Sequence, residues 1–157
     1  MKKILYSLFA VLTMSLALVS CGDDDKGSSK HATLPEEAFA GIYSGTWTTY
    51  NADGTTVEKE GETGTITVKK NGEVNYSSKL DIVNNDNSAI NTNDVVVNIV
   101  WNGDNAKFFT TSTSLPVNGE ITADGLLIAK FSKTVKVGKK SVTNFYYFSG
   151  KKSLLNE

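Results

Sequence analysis

Few side chains in this sequence can do bond-making chemistry, and their positions limit what they can do. The 157-residue chain holds one cysteine, Cys21, and one histidine, His31. Cys21 closes an apolar run, and His31 lies in a polar stretch with few apolar neighbours. Neither is placed to join a triad, in which packing holds a nucleophile within hydrogen-bond reach of its base. A rigid His/Cys metal site is excluded on the same ground, and one thiol cannot form a disulfide within the chain. Carboxylates remain, but Asp53, Asp86, Asp94, Asp104 and Asp124 all sit in turn-like contexts. There an Asp side chain shapes the backbone by accepting from nearby N–H groups. The consecutive Asp23, Asp24 and Asp25 lack the spaced oxygen cage that calcium uses. The expectation is a protein that is not an enzyme and needs no cofactor or metal.

Aromatic residues are the other chemically informative set. Tyr43, Gly45, Trp47 and Thr49 share one parity of a strand-like segment. Tyr76, Trp101, Phe109, Phe131, Phe145 and Tyr147 have spacings that let them face the same interior. With Tyr43, these seven aromatics would line an apolar cavity in which tyrosine hydroxyls orient a small apolar or amphipathic ligand. The plainer reading is that they fill the interior and leave no cavity. Tyr146 and Phe148 fall on the opposite parity, so the last strand is aromatic on both faces and one face is free to be a contact surface.

The elements that must position these side chains are strands. Thr, Val, Asn, Gly and aromatics outweigh Ala, Leu and Glu, a composition that favours sheet. Strand patterns run over Gly41–Tyr50, then 56–70, 73–83, 95–101, 106–112, 116–123, 126–137 and 141–150. Between them stand Asp53-Gly54, Asn71-Gly72, Asn102-Gly103, Asp124-Gly125 and Gly138-Lys139. Asn-Gly and Asp-Gly suit the positive φ that tight hairpin turns demand. Gly61 and Gly64 mark a break within the second strand. Residues 84–94 are too polar for core and read as a loop. Ahead of the first strand, Thr33 as N-cap, Pro35 in the first turn and Glu36 three residues after Thr33 signal a short helical turn that Gly41 ends, with Phe39 turned inward. Eight strands joined mostly by short turns predict an all-β, eight-stranded antiparallel up-and-down barrel, closed so that no sheet edge is exposed. A β-sandwich needs longer crossovers than most of these connections offer.

The first residues carry an address. Lys2 and Lys3 precede an apolar run to Val19, the layout of a secretory signal. Its end, Leu18-Val19-Ser20-Cys21-Gly22, resembles the lipobox of bacterial lipoproteins. That resemblance implies cleavage before Cys21 and lipidation of its thiol, so that a membrane is a partner through the anchor on Cys21. Two or three acyl chains, at about 0.8 kcal/mol per buried methylene, suffice for stable anchoring. The domains expected are a signal peptide over 1–20, a lipidated flexible tether over 21–33 and the β-domain over 34–157. The acidic triplet behind Cys21 resembles the surface-export signal of Bacteroidetes lipoproteins, which implies an outer-membrane location facing the cell surface. Formal net charge is −1 and the chain has no arginine to grip phosphate or guanine, so nucleic acid is not an expected partner. A monomer is expected.

At Gly45-Thr46-Trp47 the chain resembles the calycins, the lipocalins and their relatives, whose first strand carries Gly-x-Trp after a short helical turn. With the lipobox, the acidic tether and Phe148-Ser149-Gly150-Lys151, it is most similar to calycin-like lipoproteins of the Bacteroidetes. The resemblance implies that Trp47 plugs the closed end of the barrel, that Gly45 permits close chain approach, and that a ligand enters at the opposite end. The arginine that usually packs over the tryptophan is missing, and Lys151 or Lys152 would stand in for it. Two functions stay open. One is binding of a small apolar or amphipathic ligand in the barrel; the other is a surface interaction protein with a filled barrel that meets a protein or glycan through its outer face or loops.

Overall fold

The computed structural model describes residues 31–110 and 112–153. The expected signal peptide, Cys21 and the tether as far as residue 30 lie outside the described residues. Eight antiparallel strands form one sheet that closes on itself: β1 Gly41–Tyr50, β2 Val57–Lys70, β3 Ser77–Asn84, β4 Thr92–Asn102, β5 Asn105–Phe109, β6 Val117–Ile121, β7 Leu126–Val137 and β8 Lys140–Lys152. Each pairs with its sequence neighbours, and β8 returns to pair with β1. One short helix, α1 (Pro35–Ala38), precedes β1, and a 3₁₀ turn, Ser88–Ile90, joins β3 to β4. This is the all-β meander that the spacing of turns predicts.

The helix starts one residue later than its capping pattern suggests. Leu34, extended at φ −70 and ψ 149, is the N-cap and makes no side-chain cap bond. Pro35 is the reason: proline disfavours helical backbone in the residue before it, so the cap falls on Leu34 and Thr33 is left outside. The last turn closes at Phe39, whose N–H donates to the Pro35 carbonyl at 3.0 Å, ahead of Gly41. Four contacts pin this turn over the ring end where β1 begins. The Glu36 carboxylate accepts from the Tyr76 N–H at 3.0 Å, Lys70 pairs with Glu37 at 2.8 Å, the Tyr43 hydroxyl donates to the Phe39 carbonyl at 2.8 Å, and Lys152 reaches the Ala38 carbonyl at 3.4 Å.

Inside the ring the inward positions of successive strands form one continuous apolar cluster. It runs from Phe39 beneath the helix, through Tyr43, Leu80, Ile99 and Phe108, to Phe131 and to Ile90 on the 3₁₀ turn at the far end. Each large side chain removed from water contributes roughly 1.5–3 kcal/mol, so this apolar cluster is the main source of stability. Gly45 belongs to this packing. A methyl group there would lie 2.0 Å from the Ser149 carbonyl oxygen, so only glycine lets β1 and β8 approach.

Several aromatics expected inside lie elsewhere, because a one-residue change of register turns every side chain of a strand to the other face. Tyr43 and Phe131 are buried in the interior. Phe109 is 42% exposed, whereas Phe108, paired with the inward Ile99, is 1% exposed. On β8 Trp47 pairs with Phe148, so Phe148 and Tyr146 point inward and Phe145 and Tyr147 outward. These two meet Tyr50 on the outer wall, with Tyr147 edge-on to Tyr50 at 4.9 Å. Tyr76 is half exposed and lies before β3, in a turn with φ 57; the hairpin at Asn71-Gly72 therefore extends to Tyr76. Trp101 keeps inward parity but sits at the rim beside the helix, edge-on to Phe39 at 5.2 Å and stacked on His31 at 3.6 Å.

Trp47 is also placed differently from the closed-end plug that the Gly-x-Trp resemblance implies. The helix covers the end at Gly41, and Trp47 lies six residues further along β1, roughly 20 Å at 3.3 Å per strand residue. Phe148 and Phe131 cover its ring at 4.8 and 5.6 Å. Lys151 pairs with Asp124 and Lys152 with Ala38, both at the helix end, so neither takes the place of the missing arginine.

Candidate functional site

The ring end away from the helix carries polar side chains on its inner face, and a β-bulge puts one of them there. Trp47 pairs with Glu62, but the next pairs are Thr48 with Glu60 and Thr49 with Lys59. The extra residue is Gly61, at φ 76, a conformation that glycine adopts without the side-chain clash other residues meet. Residues directly paired across strands share a face. Glu62 therefore points inward with Trp47, and Lys59 points inward with Thr49. An unbroken alternation would have sent Lys59 outward. The sequence signal was the glycine inside a strand pattern, which marks a break without saying which side chains it re-aims.

Glu62 is the centre of a connected set. Its Oε2 accepts from Asn84 Nδ2 at 2.9 Å and from the Thr49 hydroxyl at 3.5 Å, while Oε1 meets Lys59 Nζ at 3.3 Å. Asn84 extends the set into the β3–β4 connection: its Oδ1 accepts from the N–H groups of Asp86 and Asn87, both at 2.9 Å, and its own N–H donates to Asn91 Oδ1 at 2.7 Å. Residues 84–94, read from sequence as an exposed loop, thus include a buried asparagine and the core residue Ile90. The polar run hid Ile90, its one large apolar residue.

The other wall is built from β7 and β8. Tyr146 pairs with Thr49 on one side and with Phe131 on the other, and the Phe131 and Tyr146 rings stack at 5.0 Å. Two residue pairs nearer the rim, Asn144 faces Lys133. Asn144 hydrogen-bonds the Tyr146 hydroxyl through its side chain, and its Oδ1 is buried without a partner. Burial, followed by the charges of Glu58 and Glu62, holds the Tyr146 hydroxyl above the ordinary tyrosine range against the lowering effect of the Asn144 bond. Lys133 Nζ donates to the Ala89 carbonyl at 2.5 Å. Strands β3 and β7 are four places apart in either direction round the ring, so this bond ties the β3–β4 connection across the mouth.

The arrangement is a polar rim, with Glu62, Lys59, Thr49, Asn84, Asn144 and Tyr146 above an aromatic floor of Trp47, Phe131 and Phe148. A strap carrying Ile90 covers part of it. Of the seven aromatics expected to line a cavity, Phe131 is here; Tyr43 and Trp101 lie toward the helix end, and Tyr76, Phe109, Phe145 and Tyr147 line no interior. Among the described residues no group of three or more His, Cys, Asp or Glu side chains is arranged to hold a metal ion. Of the turn aspartates, Asp53 serves its own turn, accepting from the N–H groups of Thr55 and Thr56 at 2.7 and 2.8 Å, which holds its carboxyl well below the ordinary range, while Asp86 accepts from the Thr63 N–H and Asp94 pairs with Lys69. The chain matches no protein-family model, no curated protein and no solved structure.

Proposed function

We propose that this chain is a lipid-anchored, calycin-like protein of the cell envelope, displayed from the outer membrane, that takes a small amphipathic ligand at the rim away from its helix. The observation that carries this reading is the bulge at Gly61, which turns Lys59 onto the inner face beside the inward-pointing Glu62, above buried aromatics. Bulges of this kind re-aim side chains at barrel rims and beside functional sites, and small-ligand sites combine an apolar lining with a few placed polar groups. Buried apolar side chains pack below the rim, and the ligand's apolar part takes the place of Ile90 when the strap lifts. Its polar part meets the rim. Native mass spectrometry of the Cys21→Ser protein recovered from the cells that produce it tests this. A retained small molecule, lost on denaturation, supports the reading, and a clean apo mass at every preparation sinks it.

A second reading is favoured by the outer wall. Val96, Val100 and Phe109 are exposed, and Phe109 pairs with Asn98 between the two valines. A protein or glycan partner on this face would make the ring a rigid post. Alanine at Val96 and Phe109 separates the two readings, because it leaves rim binding untouched and weakens only an outer-face partner.

A further inference from the structure

The groups that face into the mouth differ in what they still lack. Glu62 is 8% exposed while its cation, Lys59, is 59% exposed. The carboxylate is therefore dry and held by protein donors, whereas the ammonium opposite it hangs in solvent and costs little to displace into water. An exposed lysine gains little from such a pair, because water and salt screen it and its side chain loses freedom. The second open group, Asn144 Oδ1, is an acceptor with no donor, and a buried acceptor left unpaired is unfavourable until a donor arrives. Lys133, the other inward cation, is committed to the Ala89 carbonyl. Glu58 joins Glu62 in making the surroundings of Tyr146 negative. What the rim leaves unmet is the Asn144 acceptor, and what it already holds at Glu62 is a primary ammonium supplied by the chain itself.

We infer that the rim selects an amphiphile with an ammonium headgroup, which replaces Lys59 at the Glu62 carboxylate. This rests on the reading of the rim as a ligand site. In the same polar wall, the Asn144 Oδ1 is an acceptor for a further N–H. A neutral headgroup satisfies the acceptors without the charge, and a carboxylate meets Glu62 with like charge. Selection then comes from the cost of an unfavourable headgroup as much as from the gain of a suitable one.

Calorimetric titration of the full-length Cys21→Ser protein with decylammonium, decanol and decanoate tests this. Decylammonium is expected to bind about ten- to a hundredfold more tightly than decanol, the range of one charge-assisted hydrogen bond, with decanoate weakest. Glu62→Gln should bring the amine down to the alcohol's affinity. Lys59→Ala, an exposed change that leaves the fold intact, should raise amine affinity severalfold and decanol affinity less, which keeps the test decisive should Glu62→Gln fail to fold. Equal binding of all three probes, preference for decanoate, or no effect of Lys59→Ala on the amine overturns the headgroup assignment while leaving a ligand site at the rim. Failure of all three probes to bind removes the rim site itself.

Discussion

Trp47 donates its indole N–H to the Val83 carbonyl at 3.0 Å, and it does so across Gly64. A methyl group at position 64 would stand 2.2 Å from that carbonyl oxygen and 2.4 Å from the indole nitrogen. Gly64→Ala should therefore force Trp47 out of its place and cost about 1–3 kcal/mol or more, in the range of overpacked cores. Urea unfolding measures the loss, and a variant as stable as the parent would show that Trp47 has room the structure does not give it.

Phe108 and Phe109 are adjacent and chemically identical, yet lie on opposite faces of β5. Phe108→Ala should cost about 3–5 kcal/mol as a buried ring leaves a cavity. Phe109→Ala should stay within about 0.5 kcal/mol, like other surface changes. Denaturation midpoints of the two variants decide the parity of the strand, and a reversed order would contradict the register.

Tyr76→Gly is expected to be neutral or stabilising by up to about 1 kcal/mol, since the native φ of 57 strains any residue with a Cβ. Loss of a tyrosine packed inside would instead cost several kcal/mol. Thermal unfolding at matched concentration distinguishes the two.

Burial pushes the Tyr43 hydroxyl up to about 12 from its ordinary 10.0. A folded-state value above the unfolded one means that the stabilisation is complete below pH 10 and is lost as pH rises from 10 toward 12. Tyr50, Tyr146 and Tyr147 are shifted in the same direction, each chiefly by burial. Tyr43→Phe should lower stability at neutral pH by about 1 kcal/mol, through the lost bond to the Phe39 carbonyl, and should flatten part of the alkaline decline. Equal alkaline slopes in parent and variant, measured by denaturant titration at successive pH values, would exclude Tyr43 as a contributor.

Cys21→Ser should abolish membrane fractionation and leave the precursor at its unmodified mass, because the serine hydroxyl does not replace the thiol that receives the lipid. Intact-mass measurement of membrane and soluble fractions checks both consequences. An unchanged membrane-bound product would refute lipidation at this residue.

The sequence by itself determined the number and order of the strands and most of the turns. Strands β1 and β7 begin and end where alternation and turn residues place them, since both depend on chemistry local to a few residues: side-chain period, glycine at positive φ, proline at a helix start. Which face each side chain occupies was legible only where the alternation was unambiguous, as at Tyr43 and Trp47. On β8, aromatic on both faces, the choice fell to the partner strand: Gly45 faces Gly150 and Trp47 faces Phe148, so Tyr146 and Phe148 go inward. Tyr76 left the strand because its N–H is held by Glu36, forty residues earlier.

The rim was the least legible part. Glu62, Lys59 and Asn84 are polar residues that composition assigns to the surface, and only the closed ring brings them together above Trp47. Gly61 announced a break in β2, but its effect depends on which residues of β1 lie opposite, a long-range pairing that no local pattern encodes. The tertiary structure decided the site because a bulge has meaning only relative to its partner strand, and a mouth only once the eighth strand has closed on the first.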